Sequence, residues 1–421
     1  MLNLFIWRYR INVLAVLGLL FLVVPAVPQR LVTESDKLTN EEREIFRSLR
    51  DGRTQYAPEL HKKIIERAAR WYVGRVTWKE IQENSLKGNP SPLVLTLSDI
   101  VREAQTYLLP PNKLNPDKKK RESQLVFLRE YGNACIAEIE KVLQNPNAIA
   151  RINAARILAW LGTTGQEEHA AAMVKVIEDP GQHDAVKLWA LIGLKDMFTT
   201  IGRFKNKELE AKCLQAVVRF VERKPNYPPN ASKEEIDGFR YVRREGTRVL
   251  AAAAVPSFTL DDKIAGRPAL VLLRILSNDG IDPPALIRER TEAAIGLCRM
   301  DPKLDPAYHP DFAALHIGYF LADFGIAHGN DQKAEFKSEA WRVLAIRLHA
   351  ALEEFKTNTK DPYVAQVVDK GLLILTDMET GKPAQDVHLR DMRAWLGMNQ
   401  PPHKQLFEGV AESAVKLPSF K

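Results

Sequence analysis

The densest group of side chains able to bind a metal or move a proton lies at His309, Asp311, His316, Asp323 and His328. Imidazole and carboxylate are the donors that divalent transition metals take, and both titrate near neutrality when perturbed. His316 and Asp323 are seven residues apart, which is two helical turns and one face. The three histidines His309, His316 and His328 therefore define one candidate chemistry, a metal-dependent enzyme. Pro310 interrupts the spacing, and no HExxH motif fixes a metal geometry. No GxSxG, GxxxxGK[ST] or GxGxxG occurs either, so the chain lacks the motifs of a serine hydrolase elbow, a phosphate-cradling loop or a dinucleotide turn. No cofactor is expected, and a non-catalytic role leads.

A second group is cationic. In FRYVRREGTRVL, Arg240, Arg244 and Arg248 recur every four residues and form one stripe, with Arg243 beside it. Guanidinium groups in such a row hold acidic peptide, anionic glycan or lipid headgroups through charge-assisted bonds. The competing expectation is local pairing with Glu234, Glu235 and Asp237 just upstream. Tyr227, among Pro225, Pro228 and Pro229, marks a rigid aromatic insertion and a candidate contact. Trp160 and Trp189 are expected in the core. Cys135, Cys213 and Cys298 are isolated and odd in number, which fits small buried hydrophobes and no disulfide framework.

The elements that must carry these residues are helices. Thr39 and Glu42 have capping-box spacing. Residues 57–73 place Leu60, Ile64, Ile65, Ala68, Ala69, Tyr72 and Val73 at the three-and-four intervals of an amphipathic helix. Between Gly88 and Ser98 the prolines and the alternating Leu93, Leu95 and Leu97 allow a short extended piece. The run PPNKLNPDKKKR at 110–121 has the composition of an exposed basic linker.

From 134 to 300 a pattern repeats. First helices end near Leu143, Ile177, Val221 and Leu276. Each is followed by a second helix with a basic residue (Arg151, Lys187, Arg243, Arg290), a small residue three later (Ala154, Ala190, Gly246, Ala293) and a leucine four beyond (Leu158, Leu194, Leu250, Leu297). Small residues let helix pairs approach, and the leucines fill the seam. The segments NPNAIARINAARILAWLG (145–162), DPGQHDAVKLWALIGLKDM (179–197) and IRERTEAAIGLCRM (287–300) resemble HEAT repeats, α-solenoids of paired outer and inner helices. The resemblance implies that the inner-helix basic residues join a ladder with acidic turn residues, here Asp179, Asp184, Asp279 and Asp282. It implies an architecture and no activity. Some HEAT-like enzymes are di-iron hydroxylases with His-Glu pairs, but no His-Glu dipeptide occurs in this chain.

At the N-terminus, Arg8 and Arg10 precede the apolar run Ile11–Val24, closed by Pro25 and Pro28. That pattern predicts a signal peptide or single N-terminal membrane anchor over 1–30, with the body exported to the periplasmic or extracytoplasmic side. The full expectation is an all-α, HEAT-like α-solenoid of helical hairpins: 31–125 an N-terminal helical region and basic linker, 126–302 the repeats, 303–421 a helical continuation or cap with a loose tail after 403. With 421 residues, 45% hydrophobic and 27% charged, the chain can bury a sizeable core. Its net charge of +7 permits an anionic partner without indicating nucleic acid, which the export segment disfavours. The expected function is an adaptor or scaffold in the cell envelope that holds a protein or anionic polymer along a groove, touching the membrane through residues 1–30.

Overall fold

The computed structural model describes residues 32–87, 94–225, 230–331 and 338–417. The apolar segment at 1–30, the residues 88–93 and Tyr227 lie outside them. Among the described residues the chain is all-α, with sixteen α-helices and a single two-stranded hairpin of β1 (Phe258–Leu260) and β2 (Lys263–Gly266). None of these helices is long and apolar enough to cross a membrane. The chain falls into two compact units, residues up to Cys213 with Ser232–Gly238, and Leu214–Ala231 with Phe239–Lys421. The division falls at neither 125 nor 302.

The first unit contains α1 (Asn40–Arg50), α2 (Pro58–Gly74), α3 (Lys79–Leu86), α4 (Leu97–Gln105), α5 (Lys118–Leu143), α6 (Ala148–Gly162), α7 (Ala170–Glu178), α8 (Asp184–Ile201) and the start of α9 (Lys207–Glu222). The box at the head of α1 forms as its spacing predicts. The Glu42 amide donates to Thr39 Oγ1 at 3.2 Å, and the Thr39 amide donates to Glu42 Oε2 at 2.8 Å. The basic run does not form a linker. Lys118–Arg121 is the first turn of α5, which the Asp117 side chain caps by accepting the Lys120 amide at 2.9 Å. Lysine and arginine are good helix formers, and one capping aspartate overrides the helix-breaking prolines just upstream. The core here is aromatic: Phe46 packs against Tyr107, Tyr131 and Phe127 with ring centroids 4.8, 5.1 and 5.2 Å away.

The repeat pattern between 134 and 300 corresponds to real hairpins. Ala154, Ala190 and Ala293, and Leu158, Leu194, Leu250 and Leu297, are fully buried. In the first unit α6 lies against α8 so closely that a Cβ on Gly162 would stand 2.0 Å from the Gly193 carbonyl oxygen. The glycine at 246 has a similar cause, because a Cβ there would meet Val221 Cγ2 at 2.6 Å. Where alanine fits the other repeats, α9 comes too near α10 (Lys233–Ala253) to admit a methyl group.

The second unit adds α11 (Pro268–Ser277), α12 (Ile287–Arg299), α13 (Pro310–Asp331), α14 (Ser338–Thr359), α15 (Pro362–Glu379) and α16 (Asp386–Met398). Helix α12 packs on both α11 and α14, and α13 on both α15 and α16, so the unit continues through residue 302 without a break. Pro302 and Pro306 lie in the connection into α13, and Pro310 is its first residue. The tail after 403 is folded down and not loose. The His309 amide donates to the Leu406 carbonyl at 2.8 Å, the Glu408 amide to that of Ala307 at 2.9 Å, and Phe407 is 1% exposed.

Candidate functional site

The arginines of α10 are turned inward. Arg243 is 1% exposed and grips Glu289 of α12 with both ends of its guanidinium, at 2.8 and 3.2 Å. Arg248 donates to Glu245 at 2.7 Å and to Glu292 of α12 at 2.6 Å, and Arg347 of α14 closes on the same Glu292 at 2.8 and 2.6 Å. Arg244 is buried, its guanidinium 4.7 Å above the Tyr241 ring, and Arg240 donates to the Pro284 carbonyl at 3.0 Å. Burial by itself would raise the Glu292 pKa, but the hydrogen bonds and charges of Arg347 and Arg248 outweigh it and hold the carboxyl at about 2.

Arg243, Arg248 and Arg347 therefore join α10, α12 and α14 through Glu289 and Glu292. Glu235 caps α10, accepting the Ser232 amide at 2.8 Å. One step along, Arg290 of α12 reaches Asp323 of α13 at 3.0 Å. The resulting Arg243–Glu289 and Arg290–Asp323 pairs are a ladder from helix to helix, whereas Asp179 is occupied by the Gly181 amide and Asp279 by that of Lys416.

The three histidines of the metal hypothesis do not converge. His316 is wholly buried with Nδ1 2.7 Å from Ser277 Oγ, and its burial lowers its pKa to about 3. His328 packs on Trp341 with ring centroids 5.4 Å apart. Twelve residues of helix separate the two, about 18 Å along the axis, so no single ion can touch both. Asp323 is committed to Arg290. His309 instead meets Asp311 and His403, a residue outside the sequence pattern.

A partly open row of side chains in the first unit lies on α6 and α8. Ile152, Arg156 and Trp160 follow at four-residue intervals on α6, and Trp189 and Ile192 on α8 are half-buried beside them. Trp160 is 40% exposed, contrary to the expected core position. The Arg156 guanidinium lies 5.5 Å from the Trp189 ring, and its Nη1 donates to Asn153 Oδ1 at 2.8 Å. Among the described residues no carboxylate pairs with Arg156, and burial lowers its pKa. A partly desolvated cation beside the Trp189 indole, one helical turn from the exposed Trp160, can receive a carboxylate attached to a flat or apolar body.

The signal for this row was present in the sequence. Ala154, Ala155, Leu158, Ala159 and Gly162 already fill the seams of α6, so 152, 156 and 160 had to face elsewhere. The bulk and apolarity of an indole favour the core, and that is the expectation which Trp160 departs from.

No family model and no curated protein matches this chain. The α6–α8 row and the cluster at His309 thus rest on their own geometry.

Proposed function

We propose that the chain is a HEAT-like α-solenoid serving as a non-catalytic adaptor in the cell envelope, and that its first unit holds an acidic, extended segment of a protein partner across α6 and α8. The observation that carries this is Arg156, a half-buried guanidinium without a carboxylate among the described residues, lying beside the Trp189 ring and one helical turn from the exposed Trp160. Desolvated arginine and tryptophan are the residue types that concentrate binding energy at protein interfaces. The paired hairpins and the Arg–acid ladder of successive helices support the solenoid assignment. Export rests on Arg8 and Arg10 before the apolar run Ile11–Val24, which orients the body away from the cytoplasm.

The test is retention of partners from a membrane-and-envelope extract on the purified full chain. Wild type retains a defined protein, Arg156→Glu loses it, and Trp160→Ala weakens it by about tenfold or more, the cost of an interface tryptophan. Equal retention by all three rejects the site. Displacement by an anionic glycan, but by no protein, assigns the row to a polymer. Protease accessibility in intact cells, with N-terminal sequencing of the mature chain, tests the location.

A further inference from the structure

In the second unit, His309, Asp311 and His403 bring one ligand atom each to within 4.8 Å of one another. Asp311, the second residue of α13, is 2% exposed, and both its oxygens lie 3.0 Å from His403 Nδ1. The His403 amide adds a bond to Asp311 Oδ2 at 3.1 Å. The imidazoles of His309 and His403 lie face to face, centroids 3.7 Å apart and planes 4° from parallel. The two histidines come from segments far apart in sequence. They are held together independently of their own side chains by the backbone bonds of His309 to Leu406 and of Glu408 to Ala307, and by the Tyr308–Phe407 ring contact at 5.7 Å.

Two neutral imidazoles and one carboxylate form the donor set of borderline divalent metals, zinc foremost. Zinc–nitrogen bonds of 2.0–2.1 Å in a tetrahedron place donors about 3.3 Å apart, so the donors must close by up to about 1.5 Å and the parallel rings must turn, since a metal lies in the plane of each imidazole that binds it. Side-chain rotation can provide both, because the His403 side chain is 49% exposed and His309 is only half-buried.

We propose that His309, Asp311 and His403 bind a divalent transition-metal ion of the zinc class, with a water-accessible fourth position, and that the ion clamps the segment 399–413 onto the start of α13. The unpaired alternative is a plain His403–Asp311 ion pair capped by a ring stack, and the two differ in what zinc does.

The experiment is calorimetric titration of the tag-free full chain with zinc chloride, paralleled by the visible spectrum of the cobalt(II) form and by hydrogen exchange across 399–413. One ion per chain is expected, with a cobalt spectrum of tetrahedral nitrogen and oxygen ligation and slower exchange in 399–413. His403→Ala and His309→Ala, both at solvent-accessible positions, should each lose tenfold or more in affinity and the protection with it. His388→Ala, whose imidazole bonds to Asp377 elsewhere, should bind as wild type. No stoichiometric zinc, or equal affinity in His403→Ala and wild type, overturns the site. Binding at the site without slower exchange overturns the clamp.

Discussion

Glu289 and Glu292 show how buried charge is tolerated at the scale of single residues. Each is about 2% exposed and would be expensive alone, yet each faces guanidinium groups that occupy its oxygens. Removing one partner leaves the other stranded. Glu289→Ala is expected to destabilise the second unit by about 3–5 kcal/mol in urea unfolding. The double change Arg243→Met with Glu289→Leu should recover most of that loss, because an apolar pair of similar volume leaves no charge behind. Glu292 adds a pH dependence. Its folded pKa of about 2 lies below the ordinary 4.5, so its stabilisation is complete above pH 4.5 and is lost as pH falls towards 2. That contribution is about 3 kcal/mol, and Glu292→Gln should flatten the acid limb of the stability profile by that amount. The histidines act in the same direction over a higher window. Burial depresses His169 to about 4 and His316 to about 3. Above pH 6.5 they are neutral whether folded or unfolded, and stability falls as pH drops from 6.5 towards those values, because only the unfolded state takes up the proton. His316→Asn, which keeps a polar atom near Nδ1 for Ser277, should remove its share of that slope in acid titrations followed by circular dichroism.

Among the helices, glycines divide into those that must remain glycine and those that need not. Gly162→Ala places a methyl group against the Gly193 carbonyl and should cost about 1–3 kcal/mol as α6 and α8 separate. Gly238, in α10, has open space where a Cβ would go, so Gly238→Ala should stabilise by about 0.5–1 kcal/mol. Thermal unfolding of the two variants should therefore shift in opposite directions. The small-residue positions at 154, 190, 246 and 293 were legible from spacing because helix packing is periodic and local. The start of α5 was not, since the same Lys-rich sequence serves a linker or a helix and only the capping by Asp117 and the later packing of Phe127 and Tyr131 decide. The fate of the α10 arginines was hidden for a related reason. A row of cations is visible in one helix, but Glu289 and Glu292 become its partners only after α12 has docked, a contact more than forty residues away.

For the molecule as a whole, the described residues contain an α-helical array in two units, and the properties that set its biology are distributed unevenly. The first unit carries the open guanidinium and indole row, and the second carries the buried ion ladder and the His309–Asp311–His403 cluster. The cluster escaped the sequence because His403 lies 92 residues from Asp311, whereas a motif search looks for donors within a few turns. Sequence order favoured His316 and His328, which lie on α13, the helix that begins just after His309. If the row on α6 and α8 is the partner site, salt should weaken capture only moderately, since one guanidinium and two aromatic faces contribute. A nucleic-acid surface would instead show a steep logarithmic fall in affinity with salt, read by repeating the retention assay from low to high ionic strength.

The contact between Gly162 and Gly193 also sets the alignment of residues that never touch it. Two helices that meet backbone to backbone cannot slide a turn past each other, because any other register would put a side chain where the carbonyl now sits. Arg156 and Trp189, thirty-three positions apart like many pairs on the neighbouring faces, owe their alignment to that keyed joint. A random screen for loss of partner recognition should therefore recover changes at Gly162 and Gly193 alongside those at the indoles, from chains that are present, folded and out of register.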